Sequence, residues 1–147
     1  MWVIVHVFSG LALGAALGGR GPEPTTSLLV VLPAALVAHA LLDLIPHWDY
    51  TRSRLRALWA VIDVLAAVAL VMGAWWSGAL PGWLALVGAV SALPDLDVLD
   101  AVVPVDKGGR WFPSHWRRFP HGQCRAAWGI PIQVGVIVLS AVVVAGS

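Results

Sequence analysis

The chain has 147 residues, of which 59% are hydrophobic and only 12% charged, with a mean hydropathy of +0.83. Nine bases and eight acids cannot cover the surface of a water-soluble domain of this size, so lipid must supply the missing solvent. The single cysteine, Cys124, excludes an internal disulfide and a thiolate cluster, which leaves nitrogen and oxygen as the ligands for any metal.

A bilayer core about 30 Å thick needs roughly 20 apolar residues in helix, and five stretches approach that length. The first, 2–18, lacks the basic start of a signal peptide and ends at the prolines and first charges of Arg20-Gly21-Pro22-Glu23-Pro24. The second, 27–46, contains Pro33, which a membrane helix tolerates if its neighbours take up the freed carbonyl. A third covers 57–77 and turns at Gly78 to Pro81; the fourth, 82–103, is expected to bend at Pro94. After a loop over 104–127 the fifth covers 128–146, with Pro131 in its first turn, where a missing N–H costs least. The expectation is an all-α, polytopic transmembrane bundle of five helices in a single domain, 1–147.

Basic residues give this bundle a direction. Arg52, Arg54 and Arg56 lie between the second and third segments, and Lys107, Arg110, Arg117, Arg118 and Arg125 between the fourth and fifth, against Arg20 alone on the other side. The positive-inside rule then places both loops and the N-terminus in the cytoplasm. Trp2, Trp48, Trp83, Trp111, Trp116 and Trp128 sit near segment ends or in the loop, as an interfacial aromatic belt does.

Ionisable side chains inside membrane segments are costly unless paired or hydrated, so each is a candidate for function. His6 starts the first segment; His39, Asp43 and His47 run down the second; Asp63 is about two turns into the third; Asp95, Asp97 and Asp100 close the fourth. In the derived topology these groups lie at similar depth on the cytoplasmic side, and His115 and His121 join them from the loop. His39 and Asp43 are four apart and share a helix face, with His47 one turn further and Asp49 just beyond. That density of imidazole and carboxylate suits a divalent ion such as zinc or manganese. Asp95 and Asp97, after Pro94, form a carboxylate pair able to bridge two metals. Arginine counter-charges in a structural salt-bridge network are the competing solution, and Asp106 reads as a plain loop charge.

His6, the run His39-x-x-x-Asp43-x-x-Pro46-His47-x-Asp49, Asp63, Pro94-Asp95-Leu96-Asp97 and the late loop histidines together resemble the bacterial membrane-bound metal-dependent hydrolases. These are small proteins of the cell inner membrane. The His-x-x-x-Asp pair also looks like the helix-borne ligands of zinc-dependent phospholipase C. The chain departs from the compact HRGxTHS-like element of that family, reading Ser114-His115-Trp116-Arg117-Arg118-Phe119-Pro120-His121-Gly122 instead. The resemblance implies two or three divalent ions held by His6, His39, Asp43, Asp63, Asp95, Asp97, His115 and His121, with His47 added by the stripe. It further implies metal-assisted hydrolysis with Asp49 or Asp97 as general base, and Arg52, Arg117 and Arg118 on a phosphate.

The expected partners are the lipid bilayer and a lipid or phosphoester substrate, with no nucleic acid and no indication of oligomeric state. Two other classes stay open. One is a non-catalytic metal-binding or ion- and proton-transporting protein, which the near absence of polar groups in the outer half disfavours. The other is a structural subunit packed through the glycine stripe Gly10, Gly14 and Gly18, which explains none of the acids.

Overall fold

The computed structural model describes residues 1–18, 21, 23–101 and 109–147. Arg20, Asp106 and Lys107, and the side chain of Asp100, lie outside the described residues. The fold is all-helical: α1 (Val3–Gly18), α2 (Ser27–Leu42), α3 (Arg56–Trp76), α4 (Gly82–Ala92) and α5 (Ala126–Ala145). Tight 3-10 turns extend α4 over Leu93–Ala101, and the described residues form no strand, only one isolated parallel bridge between His47 and Gln123.

Each boundary has a local cause. Pro33 has no N–H, and the turn before it widens over Ser27–Val31 so that Leu32 N–H bonds Ser27 C=O, five residues back. The apolar run continues to Pro46, yet α2 stops at Leu42, because the backbone beyond it bonds elsewhere: Gly122 N–H donates to Asp43 C=O. Pro94 likewise ends the regular part of α4 and hands the chain to 3-10 turns. The expected segments 27–46 and 82–103 therefore contain shorter α-helices, and the polar residues at their ends lie on tighter or extended backbone.

α1 is the central helix, with α2, α3, α4 and α5 packed around it. Its buried residues Val7, Leu11 and Ala15 meet Ala67 of α3 and Leu80 and Leu84 at the start of α4, and a smaller cluster joins Val31 and Ala35 of α2 to Val87. At Gly10 the α1 and α4 backbones close up: a Cβ there would stand 2.6 Å from Ser91 Cβ and 3.0 Å from Gly88 Cα. The N-terminal N–H groups of α1 are taken by a side chain from another helix. Asp63 of α3 accepts Val3 N–H on Oδ2 at 2.7 Å and Ile4 N–H on Oδ1 at 3.0 Å.

The outside of the bundle is apolar. α3 and α5, 21 and 20 residues long, are each long and apolar enough to cross a bilayer, and their leucines face outward, Leu65 being 61% and Leu139 67% exposed. These two helices point to association with a membrane; α1 and α2 are apolar but shorter.

Because the α1–α4 approach leaves no room for a side chain, Gly10→Val is expected to destabilise the bundle by roughly 1–3 kcal/mol. A lowered melting temperature of the purified protein in detergent is the check, and an unchanged one contradicts the packing described.

Candidate metal centre

All five histidines gather at the end of the bundle where α1 begins and α2 ends. Asp43, the residue that follows α2, is their hub and is 1% exposed. Its Oδ1 lies 3.6 Å from His6 Nε2, and its Oδ2 lies 3.4 Å from His39, 3.7 Å from His115 and 3.9 Å from His121, in each case at Nε2. The Met1 nitrogen is 3.5 Å from Oδ1, and the Ser114 hydroxyl donates to Oδ2 at 2.8 Å.

These imidazole–carboxylate separations exceed hydrogen-bond length. Two ligands about 2.1 Å from one tetrahedral ion stand roughly 3.4 Å apart, which is the spacing seen here. His/Asp atoms close enough to share an ion fall into three overlapping groups, each within 4.8 Å: His6, His39 and Asp95; His39, Asp43 and His115; Asp43, His47 and His121. His39 and Asp43 each belong to two groups; His39 has one free ring nitrogen and could serve either ion, whereas the two oxygens of Asp43 face different histidines and could link neighbouring ions. Among the described residues, both ring nitrogens of His6, Nε2 of His39 and His47, Nδ1 of His115 and His121, and Oδ2 of Asp95 are buried without a hydrogen-bond partner. So many orphaned polar atoms in one place are costly unless something binds them, and the nitrogen-rich donor set fits divalent cations.

The surrounding chain fixes which ring atoms face inward. His39 Nδ1 lies 2.8 Å from Ser91 C=O and His47 Nδ1 2.8 Å from Ile45 C=O. A carbonyl only accepts, so Nδ1 carries a proton in both rings, and Nε2 is the nitrogen each turns toward the cluster. His115 Nδ1 stands 3.4 Å from Asp97 Oδ2, which points its Nε2 at Asp43. His6 stacks on His39 with ring centres 3.8 Å apart. Burial lowers the pKa of His47 and of His115 from 6.5 to about 4, and it lowers that of His121 as well. These rings are neutral at pH 7 and ready to ligate without first losing a proton.

His121 reaches the centre because the loop pairs with the segment after α2. His47 N–H donates to Gly122 C=O at 2.7 Å, Cys124 N–H to His47 C=O at 2.8 Å and Gly122 N–H to Asp43 C=O at 2.8 Å. A Cβ at Gly122 would stand 2.3 Å from Ile45 O, and one at Gly129 2.1 Å from Trp48 N, so two glycines let backbone close on this segment from both sides. The buried amide of Gln133 ties the same region together, accepting Trp2 N–H at 3.0 Å and donating to Trp48 C=O at 3.2 Å.

The sequence-predicted residues divide accordingly. His6, His39, Asp43, His47, Asp95, His115 and His121 come together as expected, although His47 does so from the paired loop segment and not as the third residue of a helical stripe. Asp63 belongs to none of the three groups: besides capping α1 it accepts the Tyr50 hydroxyl at 3.1 Å. Asp97 accepts the Trp111 N–H at 3.0 Å and the Phe112 N–H at 2.8 Å, so it anchors the loop and orients His115. Asp49 accepts Thr51 N–H and Gln123 Nε2–H, each at 2.8 Å, and lines the cavity beside the cluster.

That cavity, of about 460 Å³, is lined at its polar end by Asp43, Asp49, Asp95, Arg110, His115 and His121. Arg52, Arg117 and Arg118, expected to bind phosphate, are exposed and none lines it; Arg110 does, while also donating to Asp97 C=O. Sequence reasoning missed Arg110, Tyr50, Ser91, Ser114 and Gln133. Gln133 carried a usable signal, being an amide inside an apolar helix. Arg110 and Ser114 become visible only once the loop is folded, Ser91 once α4 lies beside α2, and Tyr50 once it meets Asp63 of α3. No protein family, curated protein or solved structure matches the chain.

Because Asp97 holds His115 and the loop without belonging to any of the three groups, Asp97→Ala is expected to weaken metal affinity tenfold to a hundredfold, on the order typical of such orienting partners. Zinc titration against a competing chelator measures this, and an unchanged affinity contradicts the orienting role.

Proposed function

We propose that this protein is a multi-pass membrane protein of five crossing helices, N-terminus in the cytoplasm, that acts as a metal-dependent hydrolase of phosphoesters at the cytoplasmic face. Support for the crossing topology comes from the apolar exteriors of α3 and α5, the packing of the shorter apolar helices around α1, and the basic loops at the end of the bundle that holds the cluster. The sequence resemblance to membrane-bound metal-dependent hydrolases agrees with it. The single observation that carries the hydrolase reading is the gathering of five histidines and Asp95 about the buried Asp43, several of their polar atoms without a hydrogen-bond partner, beside a cavity.

Asp43, with an oxygen toward each side, would hold the ions together, with His6 and Asp95 on one side, His47, His115 and His121 on the other, and His39 completing one of them. Four or five nitrogens to two carboxylates favours zinc, with manganese the second fit. Divalent ions supply Lewis acidity there, lowering the pKa of water toward neutrality and offsetting the charge of a phosphoryl group. The rest is the work of the chain. Asp49 lines the cavity with each oxygen accepting one hydrogen bond, and each keeps a second lone pair for the proton that water gives up on attacking phosphorus. Phosphorus gains the water oxygen, its bond to the alkoxy oxygen breaks, and the alkoxide takes back from Asp49 the proton that water gave up, leaving as the alcohol. The Arg110 guanidinium at the cavity wall matches the phosphate oxygens.

Elemental mass spectrometry of zinc-loaded protein, paired with hydrolysis of a chromogenic phosphate ester, tests the reading. Wild type should retain about one or more zinc ions per chain and hydrolyse the ester, and Asp43→Ala, which removes a ligand from two groups at once, should lose most of both. Zinc retained equally by Asp43→Ala, or none held by wild type, contradicts it. Zinc held and lost as expected with no hydrolysis of any phosphoester would instead favour a transport or storage role.

A further inference from the structure

The cavity beside the cluster has two chemically different ends. Beyond the cluster and Arg110 it continues along Ala60 and Val64 of α3 and Ala89, Ala92, Leu93 and Leu96 of α4 and its 3-10 extension. Ala60 and Val64 are four apart, so they share one face of α3. α3 and α4 make few contacts with each other, since both pack mainly on α1, and the alanines facing the gap are too small to fill it. The gap reaches the apolar outside of the bundle: Val64 is 43%, Leu93 44% and Leu96 52% exposed. One continuous space therefore joins a polar end, lined by histidines, carboxylates and Arg110, to an apolar cleft that opens sideways between two helices.

We infer that the ligand of this site is an amphiphile, a phosphate monoester or diester of a long-chain alcohol or glyceride, whose tail lies in the α3–α4 cleft while its phosphate meets the cluster and Arg110. The inference deepens the hydrolase reading and rests on it for the phosphate end; the cleft itself rests only on the cavity lining. Charge complementarity selects the head: divalent cations on the cluster, together with the Arg110 guanidinium, would outweigh the Asp43, Asp49 and Asp95 carboxylates there and favour an anion over a neutral or cationic group. Among the described residues, the side chains that line the cleft from α3 and from α4 with Leu93 and Leu96 are apolar, and these select the tail, since burying alkyl chain against them removes apolar surface from water on both sides. Such a ligand has no need to leave the bilayer. Its tail stays among apolar groups along the whole path from lipid to cleft, and only the head moves from the interface to the cluster.

The test is the ratio of affinities of zinc-loaded protein for octyl phosphate and methyl phosphate, measured by calorimetry in one detergent and compared between variants, so that partition into the micelle cancels. Wild type should prefer octyl phosphate by about tenfold or more, as burial of only two methylenes would give. Ala89→Phe and, separately, Val64→Trp should remove most of that preference, while zinc content and methyl phosphate affinity stay within about twofold of wild type. Both positions are exposed, and retained zinc reports an intact fold. A preference unchanged in both variants, or absent from wild type, overturns the inference. In Asp43→Ala both phosphates should weaken together with the variant's zinc content. A chain-length preference that survives there while wild type holds no zinc would sink the hydrolase reading and leave the cleft standing.

Discussion

A carboxylate shut away from water beside four imidazoles sets the terms for most of this molecule. Asp43 is almost wholly buried, and an isolated ionised carboxylate in such a place would cost many kcal/mol. Ser114 supplies one hydrogen bond, but the ring nitrogens stand too far off to supply more. The chain has arranged itself to keep them at that distance. His39 and His47 are each held by a backbone carbonyl on the outer nitrogen, and His115 is held beside Asp97. Pulling the rings onto Asp43 as plain hydrogen-bond partners would break those outer contacts. Cations between the rings and the carboxylate satisfy both requirements at once.

The same constraint explains features that otherwise look like local irregularities. α2 stops at Leu42 although its sequence stays apolar, because the Asp43 carbonyl and the His47 amide are needed by the returning loop. Gly122 and Gly129 allow backbone to press on that segment from two sides, and Gln133 seals it with a side-chain amide. Asp63 serves the centre from a distance: by capping α1 it fixes the helix turn that carries His6. On the membrane reading, every one of these polar contacts sits at one end of the bundle, and the apolar helix exteriors continue undisturbed toward the other.

How much of this was legible in the sequence depends on the range of the interaction concerned. Hydropathy located the apolar segments that hold α1 to α5, but not the ends of α2 and α4, which stop at Leu42 and Ala92, short of the expected 46 and 103. The pairing of His39 with Asp43 was legible because four-residue spacing on a helix is local geometry. His47 lies beside them from the paired loop segment, as the helix assumed to carry it ends before it. Asp63 and Asp97 could not be told from ligands by sequence, because their partners are backbone N–H groups from α1 and from the loop, and a backbone donor leaves no residue-type signature. The position of the arginines is open in the sequence for a related reason. Charge pattern marked the loop as basic, but which guanidinium turns inward depends on how Asp97 anchors residues 110–112, and that favours Arg110 over its neighbours.

The central claim, that Asp43 and the surrounding histidines hold divalent ions in common, is tested most directly by X-ray absorption at the zinc edge of the loaded wild-type protein. The account predicts nitrogen and oxygen neighbours at about 2.0–2.2 Å, the multiple-scattering pattern of several imidazoles, and a zinc–zinc vector of roughly 3.5–4 Å from the bridging geometry. A first shell of oxygen alone, without imidazole scattering, would contradict it.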